Sequence, residues 1–110
     1  MENTVTVLYY QTISGTCPFG EWMGALGDHT GRGIIDARIG RVRRGLSGNV
    51  RSVGAGVYEL KIHYGPGYRI YFIQDGSARV ILLCGGDKSS QRQDIARVKE
   101  YSLDYWRRKA

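Results

Sequence analysis

Residues 57–73, which read VYELKIHYGPGYRIYFI, decide the fold. The two halves of this stretch, 57–64 and 68–73, are rich in β-branched and aromatic residues, which favour strands. The Gly-Pro-Gly sequence between them is typical of a tight turn. The stretch therefore predicts an antiparallel hairpin, in which a three-residue turn places His63 opposite Arg69.

Side chains alternate across a strand, so this register also sorts the hairpin into two faces. One face is apolar: Leu60, Ile62, Ile70 and Phe72. The other face, called the polar face below, carries Glu59, Lys61, His63, Arg69 and Tyr71. Antiparallel sheets commonly leave one face in water, so a solvated surface is the simplest interpretation of the polar face.

The chain before the hairpin predicts one strand and two helices. Residues 4–11 are expected to form a strand, and residues 19–26 a short helix. Asp28 is an expected N-cap for a second helix, which Gly45 and Gly48 would end. The apolar stripe of that helix follows the spacing of one helical face: Ile35, Ile39, Val42 and Leu46.

The chain after the hairpin predicts a buried strand and a long helix. Residues 79–84 are apolar on both faces, which is typical of a central strand. Ser90 followed by Gln93 resembles a capping box, and the last helix is expected to run to about Arg108. The order of elements predicts an α+β domain with a mostly antiparallel sheet, and the length predicts a single domain over residues 1–110.

The chain is basic, with 16 Lys and Arg against 10 Asp and Glu and a formal net charge of +6. This balance favours a polyanionic partner, either a nucleic acid or an acidic protein, although solubility alone also accounts for it. The candidates for RNA contact are one cluster of arginines and an aromatic residue of the polar face: Arg38, Arg41, Arg43, Arg44 and Tyr71.

Neither the cysteines nor the histidines indicate a metal site or a cofactor. Cys17 and Cys84 lack metal-ligand or redox spacing, and His29 and His63 have no ligand partners at suitable positions. We therefore expect reduced thiols in a cytoplasmic protein, with no metal and no cofactor. No apolar run is long enough to cross a bilayer and the N-terminus lacks a secretory pattern, so no membrane association is expected.

The groups of the polar face suit metal-independent cleavage of RNA, in which the 2′-hydroxyl attacks the adjacent phosphate. This reaction needs a base, a proton donor and positive charge around the phosphoryl oxygens. Arg69 is suited to bind the phosphate through two hydrogen bonds, and Lys61 and Lys88 add positive charge. Glu59 and His63 are the candidates for proton transfer. These five residues are the predicted catalytic set, with an ordinary solvated strand face as the alternative.

Three motifs resemble the addiction-module killer family of the RelE/ParE toxin superfamily, which is related to HigB. They are VGAGVYELKI at residues 53–62, YGPGYRIYF at residues 64–72 and LLCGGDKSSQ at residues 82–91. The resemblance extends over residues 19–106. It implies a RelE-like α+β fold, in which two N-terminal helices lie beside a curved, mostly antiparallel sheet with a C-terminal helix.

The resemblance also implies a function. Toxins similar to RelE and HigB are cytoplasmic type II toxins that cleave messenger RNA on the ribosome, inhibit translation and are neutralised by a cognate antitoxin. The resemblance matches Arg69 to their phosphate-binding arginine, and Lys61 and Lys88 to basic positions. Glu59 departs from the pattern, because RelE-like toxins carry a lysine there. Two alternatives stay open: a ParE-like toxin that inhibits DNA gyrase without catalysis, and a degenerate toxin that only binds a partner.

Overall fold

The computed structural model describes residues 4–110, which form a five-stranded sheet and three α-helices. In chain order the elements are β1 (Thr6–Tyr9), α1 (Pro18–Ala25), α2 (His29–Arg43), β2 (Val50–Gly54), β3 (Val57–Ile62), β4 (Tyr68–Gln74), β5 (Arg79–Gly86), a 3-10 turn (Lys88–Ser90) and α3 (Gln91–Lys109). The strand order across the sheet is β1-β5-β4-β3-β2. The predicted α+β class is confirmed.

The sheet lies between two helical layers. On one face, Phe19 of α1 and Ile35 of α2 pack against apolar strand residues such as Ile70. On the other face, Val98 of α3 belongs to a second cluster that includes Tyr71. Because α3 covers part of this second face, some of the polar side chains of the hairpin lie beneath a helix.

The predicted solvated surface of the polar face is therefore wrong for three of its five residues. Glu59 is 1% exposed, Arg69 is 5% exposed and Tyr71 is 0% exposed. The hairpin sequence alone gives no sign of this burial, because it depends on where the chain returns 30 residues later as α3. Charged groups are buried at this depth only when they are paired, so the covered face must contain their partners.

The register of the hairpin also differs from the prediction. Lys61, not His63, lies opposite Arg69, because the connection spans residues 63–67 and not only the Gly-Pro-Gly sequence. The turn is closed by the Gly67 N–H, which donates to the Tyr64 carbonyl at 3.0 Å. The shift is two residues, which is one full repeat of side-chain alternation, so the predicted division into two faces survives.

The edges of the sheet show two further differences in detail. β1 pairs in parallel with β5, whereas the other three pairs are antiparallel, as predicted for most of the sheet. β2 is absent from the sequence prediction, because its five residues VRSVG are short, alternate poorly and end in glycine. It pairs with β3 and carries an irregularity between Ser52 and Gly54.

The ends of the helices confirm one predicted cap and correct another. Asp28 caps α2 as predicted, and its Oδ1 accepts from the Gly31 N–H at 2.9 Å. α2 ends at Arg43, so Leu46 lies outside the predicted stripe and is 52% exposed. The predicted box of Ser90 and Gln93 is wrong, because Asp87 and Ser90 form the capping box one turn earlier.

Two general findings concern the whole described chain. Both cysteines are free thiols. Within residues 4–110, no helix combines the length and the apolar character needed to cross a membrane, and no group of three or more His, Cys, Asp or Glu side chains is arranged to hold a metal ion.

A hydrogen bond between the sheet and α2 gives a testable contribution to stability. The Tyr68 hydroxyl donates to Asp28 Oδ2 at 2.7 Å, and burial together with Asp28 raises the pKa of Tyr68 to about 12. Tyr68→Phe is expected to lower the free energy of unfolding by about 1 kcal/mol. Urea unfolding followed by circular dichroism measures the change.

The same bond predicts a pH dependence. The pKa of Tyr68 is higher in the folded protein than the value of about 10 in an unfolded chain, so its stabilisation is complete below about pH 10 and is lost as the pH rises towards about 12. The difference between wild type and Tyr68→Phe should therefore shrink over that range. Tyr64→Phe is the control, and an equal loss of stability in the control would contradict the assignment to the Asp28 bond.

Candidate functional site

A cleft of about 310 Å³ opens where the covered polar face meets the start of α3. It is lined by side chains from three strands, from the loop before β2 and from the first residue of α3: Asn49, Arg51, Glu59, Lys61, Arg69 and Gln91. Strand pairing places Arg51 opposite Glu59, and Lys61 opposite Arg69. Residues directly opposite each other share a face, so the register itself brings these four side chains together.

Glu59 is the central group of the cleft. Its Oε1 accepts from Arg51 Nε at 2.8 Å, and its Oε2 accepts from Gln91 Nε2 at 2.9 Å. Burial alone would raise the pKa of Glu59, but the hydrogen bonds from Arg51 and Gln91 outweigh burial and hold that pKa below its ordinary value. Glu59 is therefore an ionised carboxylate with both oxygens occupied.

Arg69 lies beside Glu59 at the buried side of the cleft. Its Nη1 donates to the Gly67 carbonyl at 2.7 Å, and its Nε lies 3.7 Å from Glu59 Oε2. This Nε is buried and has no hydrogen-bond partner within residues 4–110. A buried guanidinium donor with no partner is uncommon, because leaving it unsatisfied costs free energy. Arg69 is thus held in place by its contacts with Gly67 and Glu59, and its Nε is a buried donor that makes no hydrogen bond with residues 4–110.

The remaining predicted catalytic residues lie around the cleft. Lys61 is half-buried and lines it. Lys88 is exposed. Its backbone N–H donates to the Pro66 carbonyl at 3.3 Å, beside the turn that holds Arg69. His63 is exposed at the rim, where its Nε2 lies 3.0 Å from Nδ2 of Asn49. The structure therefore brings Glu59, Lys61 and Arg69 into one cleft and places Lys88 and His63 next to it.

The predicted RNA-contacting residues do not join this cleft. Arg38, Arg41 and Arg43 lie on α2 and Arg44 caps it, on the opposite side of the sheet. Arg41, Arg43 and Arg44 are exposed, whereas Arg38 folds back so that its Nη2 donates to the Ser47 carbonyl at 3.3 Å. Burial and the neighbouring Arg41 lower the pKa of Arg38.

Tyr71 requires a correction. Its side chain is 0% exposed beneath α3, so it has no surface on which an RNA base or phosphate could bind. Burial, followed by the negative charge of Glu59, raises the pKa of Tyr71 above its ordinary value. Tyr71 is consequently a buried neutral phenol next to the cleft, and the predicted RNA contact is wrong.

Three residues of the cleft are absent from the sequence prediction. Asn49 and Arg51 belong to a segment for which no strand is predicted, so no face could be assigned to them. Gln91 is the first residue of α3. The sequence predicts a capping box of Ser90 and Gln93 at this helix end and assigns no role to Gln91. The alternation of side chains in residues 50–54 is too short to predict a strand from the sequence, so Arg51 could not be assigned to the same face as Glu59.

The fold and the cleft together describe a small α+β protein with a cleft lined by three basic side chains and one carboxylate. Residues 30–100, which include the whole cleft, match the family model described as phage derived protein Gp49-like (DUF891). This is more than half of the chain, and the chain belongs to that family. A relative from Haemophilus influenzae, described only as an uncharacterized protein, is 42% identical over 87 residues, which cover 79% of this chain and 88% of the relative.

Proposed function

We propose that this protein is the toxin of a type II toxin–antitoxin system and that it inhibits translation by cleaving messenger RNA on the ribosome. The Gp49-like family is associated with toxin–antitoxin systems. The observation that carries the proposal is the cleft in which Arg69, held by Gly67 and Glu59, lies with Lys61 and Arg51. The RelE-like fold suggested by the motifs belongs to the same proposal.

The proposed reaction needs no metal ion and no cofactor. The 2′-oxygen attacks the adjacent phosphorus, the bond to the 5′-oxygen breaks, and the products carry a 2′,3′-cyclic phosphate and a 5′-hydroxyl. The 2′ proton goes to a base, and the leaving 5′-oxygen takes up a proton. Arg69 would contact the phosphoryl oxygens, and Lys61 and Lys88 would stabilise the charge that develops on them.

The contacts of Glu59 separate the two proton-transfer candidates. Each oxygen of Glu59 accepts a hydrogen bond, and its pKa lies below the ordinary value, so near neutral pH it holds no proton to donate and is a weak base. We therefore assign Glu59 the task of positioning Arg69. His63, exposed at the rim, is the proposed proton-transfer group.

The basic surface of α2 suits the remaining partners. Arg41, Arg43 and Arg44 are each exposed and would contact ribosomal RNA through its phosphates, with an affinity that falls steeply as salt rises. Their charge would equally suit an acidic segment of a cognate antitoxin. Both partners act in the cytoplasm, which is the proposed location.

Primer extension on an abundant transcript after a short pulse of expression tests the proposed function. New 5′ ends within translated regions are the expected result. Growth arrest with intact transcripts and DNA damage signalling would replace the proposal with gyrase inhibition, and the absence of growth arrest would indicate a degenerate toxin.

A further inference from the structure

Arg51, on the edge strand β2, is the charged residue of the cleft that the proposed reaction leaves without a role. Its Nε donates to Glu59 Oε1 at 2.8 Å, yet its side chain is 60% exposed. The Glu59 bond therefore fixes the direction of the guanidinium group, while most of the side-chain surface faces solvent at the open side of the cleft.

The pair with Glu59 accounts for only part of the Arg51 side chain. Glu59 accepts one hydrogen bond from Arg51 and one from Gln91, and these keep it ionised. Arg51 is the exposed member of the pair and donates to Glu59 through Nε, so the rest of its guanidinium group is not used by Glu59. Arg51, Lys61 and Arg69 together bring three positive charges to the cleft against one carboxylate, which leaves an excess of positive charge for a ligand.

We propose that Arg51 is a second phosphate-binding residue, which Glu59 holds beside Arg69 so that the two arginines contact neighbouring phosphates of a single-stranded RNA. The inference rests on the proposed function and extends its cleft. A guanidinium group suits this task because its planar donors match two phosphate oxygens. Arg51 thereby holds the RNA strand, and Arg69 contacts the phosphate that reacts.

RNA binding without cleavage tests the inference. The probe is a fluorescently labelled single-stranded RNA with 2′-O-methyl groups throughout, which removes the nucleophile. Its affinity is measured by fluorescence anisotropy over a series of KCl concentrations for wild type, Arg51→Ala and Arg51→Gln. Arg51→Gln keeps an N–H donor on a shorter side chain and loses the charge, so comparison with Arg51→Ala separates direct phosphate contact from support of Glu59. Arg79→Ala, at the other end of β5 from the cleft, is the control.

The expected result is the loss of one phosphate contact in both Arg51 variants. The slope of log affinity against log salt should become shallower by about 0.7, the value for one phosphate of a single strand, while Arg79→Ala keeps the wild-type slope. Thermal unfolding verifies that each variant is folded. A wild-type slope in Arg51→Gln would overturn the inference, and so would a wild-type protein that does not bind this RNA at low salt. Primer extension tests the proposed function separately, so a failure of this inference can be distinguished from a failure of the proposed function.

Discussion

Replacing Arg69 by lysine is expected to lower the rate of RNA cleavage by about 100-fold or more while the protein remains folded. Lysine keeps the positive charge but lacks the planar fork that can hold Gly67, face Glu59 and still donate to a phosphate. The loss therefore reports on the geometry of the donors and not on net charge alone. Cleavage of a defined transcript on purified ribosomes gives the rate.

The variant series separates a catalytic defect from a structural one. Arg69→Ala should lose at least as much activity, but it also leaves Glu59 without one of its cationic partners and is expected to be less stable. Arg79→Lys is the matched control, because Arg79 is exposed on β5 and lies outside the cleft. Cleavage by folded Arg69→Lys at a rate close to that of wild type would contradict the proposed contact between Arg69 and the reacting phosphate.

The sequence predicts the faces of the hairpin better than its register. The face of each residue depends only on the parity of its position, so a two-residue error in turn length leaves Glu59, Lys61 and Arg69 together. The residue opposite Arg69 depends on the turn itself. Gly-Pro-Gly suggests a three-residue turn, whereas the chain also uses residues 63 and 64 to complete it.

The burial of the site lies outside what local patterns can predict. At the end of β5, Gly86 leaves room for α3 on the polar face, and Gly85 leaves room for α1 on the opposite face. A Cβ atom at Gly85 would overlap the ring of Trp22, and one at Gly86 would overlap the carboxylate of Asp94 on α3. The two glycines are visible in the sequence, but the groups that approach them come from distant segments.

The identity of the partners around Glu59 shows the same limit. A carboxylate within a strand can be exposed, catalytic or paired, and the sequence favours an exposed one without identifying any partner. The structure supplies Arg51 from an unpredicted strand and Gln91 from the first residue of α3. These two contacts change the interpretation of Glu59 from a proton-transfer group to a group that positions arginines.

Glu59→Gln is consequently expected to lower the free energy of unfolding by about 3 kcal/mol. Glutamine preserves the shape of the side chain but replaces one accepting oxygen with a donating amide. That amide must face the donor of either Arg51 or Gln91, and the buried Arg69 loses its negative partner. Urea unfolding of wild type and variant measures the difference, and Glu100→Gln, which changes an exposed residue of α3, is the control.

The pH dependence identifies the ionised carboxylate as the source of that difference. The pKa of Glu59 is lower in the folded protein than in the unfolded chain, where it is about 4.3. Its stabilisation is therefore complete above that unfolded value and is lost as the pH falls through the folded value. The gap between wild type and Glu59→Gln should be widest near neutrality and should close in acid. A gap that stays constant with pH would show that the loss of a hydrogen-bond acceptor, and not of the negative charge, destabilises the variant, and the positioning role proposed for Glu59 would then be wrong.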